Sequence, residues 1–157
     1  MLAAYFSESD QPFRSYLTTD RSVATLARSF ICVIHVPERR TYLHLVTLKK
    51  SESDFQPTTM YRDYPISRTR LHWESQSTLA VHHETARNYI EWKARGYTIL
   101  FFVRTEKKMS GLPSPFIFLG PASDLVSQRG ERPIAMVWDL AHPMPAALFE
   151  QAREGGG

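Results

Sequence analysis

The sequence predicts an α+β domain: a strongly curved, mainly antiparallel sheet or small barrel of at least five strands, carrying one main helix at about 84–95. Three observations predict it. Apolar, β-branched runs recur along the chain, joined by short polar connections. A single segment holds a clear helical period. No strand–helix–strand repeat is present, which argues against a doubly wound parallel sheet.

The elements follow in order. FICVIHV (30–36) and TYLHLVTL (41–48) flank the turn PERR (37–40) and read as a hairpin. LHWESQST (71–78) opens as a short strand. In ETARNYIEWKAR (84–95), Ala86, Tyr89, Ile90 and Lys93 recur at spacings of three and four, and Gly96 follows as the C′ residue. YTILFFV (97–103) is almost continuously apolar and reads as a central strand. PFIFLG (115–120) and IAMVWDL (134–140) are further strands, with a short extended piece and a turn between them. AALFEQAR, after HPMP, reads as a final short helix.

Three segments lie outside this pattern. Residues 1–29 form a variable lead-in without a sustained period, residues 30–150 the domain, and residues 151–157 a Gly-rich tail. Residues 49–70 are a long connection with two prolines and the large apolar groups Phe55, Met60, Tyr61 and Tyr64. A connection of this length inside one domain is commonly functional, and its apolar content predicts an ordered, packed loop.

Length and composition exclude several classes. A chain of 157 residues, 43% hydrophobic, is one domain and needs no covalent staple. Its one cysteine, Cys32, forms no internal disulfide and excludes a Cys-rich zinc module. No run approaches the roughly 20 apolar residues of a membrane span, and the N-terminus lacks the order of a signal peptide. The expectation is a cytoplasmic protein without a membrane partner.

Charge is informative only where it is located. The formal total is +3. Between Lys49 and His72 stand five basic and three acidic residues, and between Lys93 and Lys108 five and one. The basic excess is therefore mid-chain, as an anionic partner requires.

Catalytic signatures are missing: no GxGxxG, P-loop, HExxH or GxSxG. Asp54, Asp63, Glu74 and Glu84 form no compact nuclease arrangement of carboxylates and lysine. No cofactor, metal site or catalytic residue is expected. The most informative stretch is MYRDYPISRTRLHWESQST (60–78). It interleaves Tyr61, Tyr64, His72 and Trp73 with Arg62, Arg68 and Arg70, then presents Gln76 and Ser77. Arginines fork onto phosphates, aromatic rings stack on bases, and a glutamine amide pairs with a base edge. His83, Arg87 and Asn88, around the start of the predicted helix, are a second candidate, where free N–H groups and Arg87 favour a phosphate. A buried aromatic set with a solvated charged rim has the same composition, and both readings stay open on the residues alone.

The same residues carry a family resemblance. LVTLKKSESDFQPTTMYRDYPIS (45–67), LHWESQST (71–78), ARNYI (86–90), ILFFVR (99–104), FIFLGPA (116–122) and GERPIAMVWDLAHPMPA (130–146) together resemble a conserved C-terminal domain of unknown function, DUF3427-like, of bacterial helicase proteins. Those proteins combine a phospholipase-D-type nuclease, a superfamily-2 helicase and this domain. The resemblance covers residues 30–150. Within it, Trp73, Gln76 and Ser77 match the SQST-type segment, and Tyr61, Asp63 and Tyr64 the tyrosine-rich one.

The resemblance implies a restriction-like defence or DNA-processing role, with this domain as the non-catalytic DNA-recognition part. By analogy with accessory domains of modification-dependent restriction systems, it reads a modified base or an unusual DNA feature. DNA is the expected partner, with a helicase or nuclease in cis or in trans. A protein-interaction module that docks on a helicase or inhibits a nuclease, and a small metal-dependent nuclease, are the alternatives.

Overall fold

The computed structural model describes residues 33–50 and 62–154. Nine strands and two α-helices follow one another: β1 (Val33–Val36), β2 (Thr41–Thr47), β3 (Tyr64–Ser67), β4 (Arg70–Glu74), α1 (Glu84–Ile90), β5 (Thr98–Arg104), β6 (Lys108–Met109), β7 (Leu112–Pro113), β8 (Ile117–Arg129), β9 (Ala135–Leu140) and α2 (Ala146–Glu154). The predicted lead-in, Cys32 and residues 51–61 of the long connection, Tyr61 among them, fall outside the described residues.

Seven strands form one mixed sheet in the order β1-β2-β5-β8-β9-β4-β3, and β6 and β7 form a small separate hairpin. This corrects the predicted fold. The sheet is open, with β1 and β3 outermost, so neither the strongly curved sheet nor the barrel is formed. It also contains a parallel pair, β2 with β5. The single main helix becomes two, and α2, of nine residues, is longer than α1, of seven.

The reason is topological. After β2 the chain crosses to the far end of the sheet, lays down β3, β4 and α1, and returns beside β2 as β5. Parallel neighbours cannot be joined by a tight turn and need a long crossover of this kind. Short apolar runs in a sequence carry no record of that journey.

The predicted hairpin is present. Val33 faces His44 and Val36 faces Thr41, and a 3-10 turn over Pro37–Arg39 closes with Arg40 at φ 45°. The strand β3 lies in what the sequence reads as loop. Pro65 cannot serve a central ladder but is tolerated in an outermost strand, and β3 pairs only with β4. The predicted helix loses regular α geometry after Ile90, and a series of turns continues to Gly96. There the Gly96 N–H bonds the Lys93 carbonyl and the Tyr97 N–H the Trp92 carbonyl. With Gly96 at φ +69°, this is a Schellman closure with the predicted glycine at C′.

The long strand β8 connects the two halves. Residues Ile117–Pro121 pair with β5, and Ala122–Arg129 pair with β9. Side chains of the two halves share one interior space, where the His44 ring of β2 lies 4.4 Å from the Trp73 ring of β4. The principal core fills this space with Tyr42, Trp73, Tyr89, Phe101, Met136 and Trp138, joined by Ala86 of α1 and Leu148 of α2. A second core of Leu43, Leu45, Leu100, Phe102 and Phe116 covers the opposite face of β2 and β5. Every residue of β2 is thus buried, as expected of a strand with both faces covered.

Candidate functional site

Strand alternation divides the predicted site. Along β4, Leu71, Trp73 and Ser75 are buried while Arg70, His72 and Glu74 are partly exposed. Consecutive residues of a strand point to opposite faces, so His72 and Trp73 cannot act on one ligand face.

On the outer face, the Tyr64 ring stacks on His72 at 4.5 Å with 9° between planes. His72 Nδ1 lies 2.8 Å from the Arg62 carbonyl, and the Arg62 N–H donates to Glu74 Oε2 at 3.0 Å. Arg70 forks onto Asp139, with Nε to Oδ1 at 2.7 Å and Nη2 to Oδ2 at 3.1 Å. That pairing holds the Asp139 carboxyl below its ordinary value and raises the guanidinium. Arg68 donates from Nε to the Met144 carbonyl at 2.8 Å. Arg87, exposed on α1, pairs with Glu91 at 3.6 Å. Of the predicted phosphate contacts, Arg70 is therefore committed to a carboxylate within the sheet.

On the inner face, Trp73 is one wall of a cavity of about 330 Å³, whose lining includes Tyr42, Gln76, His83, Thr85 and Tyr89. This volume lies within the range of small-molecule sites, roughly 300–1,000 Å³. Three buried aromatic rings form the floor: Tyr42, Trp73 and Tyr89, each no more than 3% exposed. Tyr89 meets Tyr42 edge-on at 4.9 Å and 83°, and meets Trp73 at 5.7 Å and 81°. The His35 ring stacks on Tyr42 at 4.3 Å.

The rim is polar and held in place. Ser75 follows β4: its N–H donates to the Ile134 carbonyl, and its hydroxyl accepts the Ile134 N–H. The next residues turn, with the Leu79 N–H on the Gln76 carbonyl. This leaves the Gln76 side chain exposed at the mouth. Arg132 Nε donates to the Ser77 carbonyl at 2.8 Å, which sets a guanidinium against the same turn. His83 Nδ1 accepts the Ala80 N–H at 3.2 Å. That bond puts the proton of the neutral ring on Nε2, a donor at the rim.

Among the predicted residues, the cavity thus gathers Trp73 and Gln76, with Ser77 in the adjoining turn. Asn88 is buried behind it and donates from Nδ2 to the Tyr42 hydroxyl at 2.9 Å. Sequence reasoning missed Tyr42, Thr85, Tyr89 and His35, whereas it grouped His83 with Arg87 and Asn88 as a candidate. The missed residues come from β1, β2 and both ends of α1, and no spacing within one segment marks them; Tyr89 read only as part of an apolar helix stripe.

Asp63, matched in the tyrosine-rich segment, is internal. Its carboxylate accepts Lys50 Nζ at 2.6 Å and the Glu74 N–H at 2.9 Å. It ties the connection before β3 to β4. Among the described residues, no group of three or more His, Cys, Asp or Glu side chains is placed to hold a metal ion.

Comparison with curated proteins gives no match. A family model, described as a domain of unknown function (DUF3427), matches residues 34–152. That span takes in the cavity's rim and nearly all of its floor and lining, and the chain belongs to the DUF3427 family.

Proposed function

We propose that this domain is a non-catalytic DNA-binding module that reads a modified base or an unusual DNA feature. The observation that carries the reading is the cavity floored by Trp73, Tyr42 and Tyr89 with the Gln76 amide at its mouth. Aromatic surfaces stack on any base, and a glutamine amide supplies a paired donor and acceptor for a base edge. A base reaches such a pocket only outside the stack, by extrusion or from a single strand. Arg62, Arg68 and Arg132 are exposed cations suited to phosphate oxygens. The resemblance adds a restriction-like defence or DNA-processing setting, in the cytoplasm, with a helicase or nuclease in cis or in trans.

The test is a titration of the full chain with duplex and single-stranded DNA, unmodified and carrying modified bases, at two salt concentrations. Binding weakens with salt, with a log–log slope of about −0.9 per neutralised duplex phosphate, and one modified duplex is preferred. Absence of binding at low salt overturns the reading.

A second reading, a module that docks on a protein partner, rests on the β6–β7 hairpin. Met109 and Leu112 stand 60% and 71% exposed there. It predicts that a double substitution of these two residues by serine abolishes association with a helicase or nuclease partner and leaves DNA binding unchanged.

A further inference from the structure

A chain of hydrogen bonds behind the cavity sets what a ligand must offer it. The Glu91 carboxylate accepts Arg95 Nε at 2.6 Å. Arg95 Nη1 then donates to Asn88 Oδ1 at 2.9 Å. A guanidinium has donors only, so the amide end it meets is the carbonyl. The amide nitrogen is thereby turned to Tyr42, and donates to its hydroxyl oxygen at 2.9 Å. Asn88 is 5% exposed, so water does not scramble this order.

The Tyr42 hydroxyl receives a hydrogen bond from behind and directs its own proton elsewhere. Tyr42 and its hydrogen-bonding neighbour Thr85 both line the cavity. Burial, the largest influence on this phenol, pushes its ionisation up, so at neutral pH it is a donor. None of the ten lining residues among those described is Asp, Glu, Lys or Arg. Among these residues a charged ligand finds no counter-ion, and burying an unpaired charge is costly. The three buried rings make much of the lining apolar, and the volume suits a single ring system.

Resting on the DNA-binding reading above, we propose that Tyr42 is a specificity-determining residue of this cavity: it takes an uncharged, planar nucleobase and donates a hydrogen bond to a carbonyl oxygen or ring nitrogen on that base. Asn88 and Arg95 are positioning residues that aim the hydroxyl.

Two substitutions separate this role from a structural one. Tyr42→Phe keeps the ring and removes the donor. Asn88→Asp keeps the bond to Arg95 but substitutes an acceptor for the amide donor, so the Tyr42 proton is drawn backwards and the cavity loses it. The probes are short single-stranded oligonucleotides carrying, at one central position, thymine, its non-polar isostere difluorotoluene, or an abasic site. The folded full chain binds the thymine oligonucleotide at least about tenfold more tightly than either of the others, as one good hydrogen bond of about 1.4 kcal/mol gives. Tyr42→Phe brings the thymine and difluorotoluene affinities together and leaves the abasic affinity unchanged, and Asn88→Asp does the same. Circular dichroism and thermal melting check the fold of each variant; Tyr42→Phe carries the test if Asn88→Asp does not fold. A wild-type chain that does not prefer thymine to difluorotoluene, or a preference that survives in folded Tyr42→Phe, overturns the proposal. If no oligonucleotide binds, the DNA reading falls. The same variants are then titrated with free thymidine: binding that depends on the Tyr42 hydroxyl sustains the cavity's role alone, and absence of binding overturns it too.

Discussion

The Asn88 amide nitrogen lies 2.9 Å from the Tyr42 hydroxyl, and this bond joins α1 to β2 at the base of the aromatic cavity. It converts a residue that sequence reasoning placed on the DNA into one that works from behind the site.

The arginines differ in what they are free to do. Arg70 is held by two bonds to Asp139, whereas Arg62 is exposed and Arg132 stands on the cavity rim through a single bond to the Ser77 carbonyl. Arg62→Ala and Arg132→Ala each reduce the salt-dependence slope of duplex binding by about one. Arg70→Ala leaves the slope as it is. Measuring affinity at four salt concentrations for the three variants checks this; an equal loss for Arg70→Ala contradicts it.

Trp73 and Gln76 separate stability from recognition. Trp73 is 2% exposed and belongs to the principal core, so Trp73→Ala destabilises by about 3–5 kcal/mol and its binding is read only in what remains folded. Gln76 is exposed, and Gln76→Ala changes stability by less than about 0.5 kcal/mol. It nevertheless weakens discrimination between bases by about 1–3 kcal/mol. Urea denaturation alongside a binding panel reads both. A Gln76→Ala protein with wild-type base preference counts against the cavity as the reading element.

How much of this was legible in the sequence depends on the range of the contacts. The β1–β2 hairpin, the strand containing Ile99–Val103 and the Gly96 closure were readable because period and turn chemistry act over a few residues. The parallel pairing of β2 with β5 was not, because it is fixed by where the chain goes between Thr47 and Thr98. The same holds for the site. Trp73 and Gln76 stood out through local composition, but Tyr42 and Tyr89 join them only when three segments meet. Arg70 looked available until its partner Asp139, 69 residues away, was seen beside it.

Lys50 and Asp63 form an ion pair at 2.6 Å with side chains 8% and 4% exposed. Breaking such a pair from one side leaves the other charge buried, at a cost of about 3–5 kcal/mol. Lys50→Met is destabilised on this scale at neutral pH. Burial is the chief influence on Asp63 and raises its carboxyl above the ordinary value, with Lys50 opposing it. Removing Lys50 raises it further. A carboxyl with a raised folded value binds its proton more tightly in the folded chain, so the deficit of Lys50→Met shrinks as pH falls through that value. Denaturation at pH 7.5 and 5.5 checks the sign, and a deficit that grows in acid contradicts it.

His44 brings the aromatic core its own pH dependence. Its ring lies 4.4 Å from Trp73 and 5.1 Å from both Tyr89 and Phe101, and neither ring nitrogen has a hydrogen-bond partner among the described residues. Burial lowers its pKa from 6.5 to about 3. The unfolded chain therefore takes up a proton below pH 6.5 that the folded chain refuses until about pH 3. Stability from this group is complete above pH 6.5 and falls by up to about 1.4 kcal/mol per pH unit across that window. His44→Phe removes the titration and the two unpaired nitrogens while keeping a flat ring, a replacement that is neutral or stabilising when shape is matched. Relative to wild type, its advantage grows by about 2 kcal/mol between pH 7.5 and 5.0, read as the change in urea unfolding free energy. Parallel pH profiles for the two proteins place the acid sensitivity of this fold elsewhere than at His44.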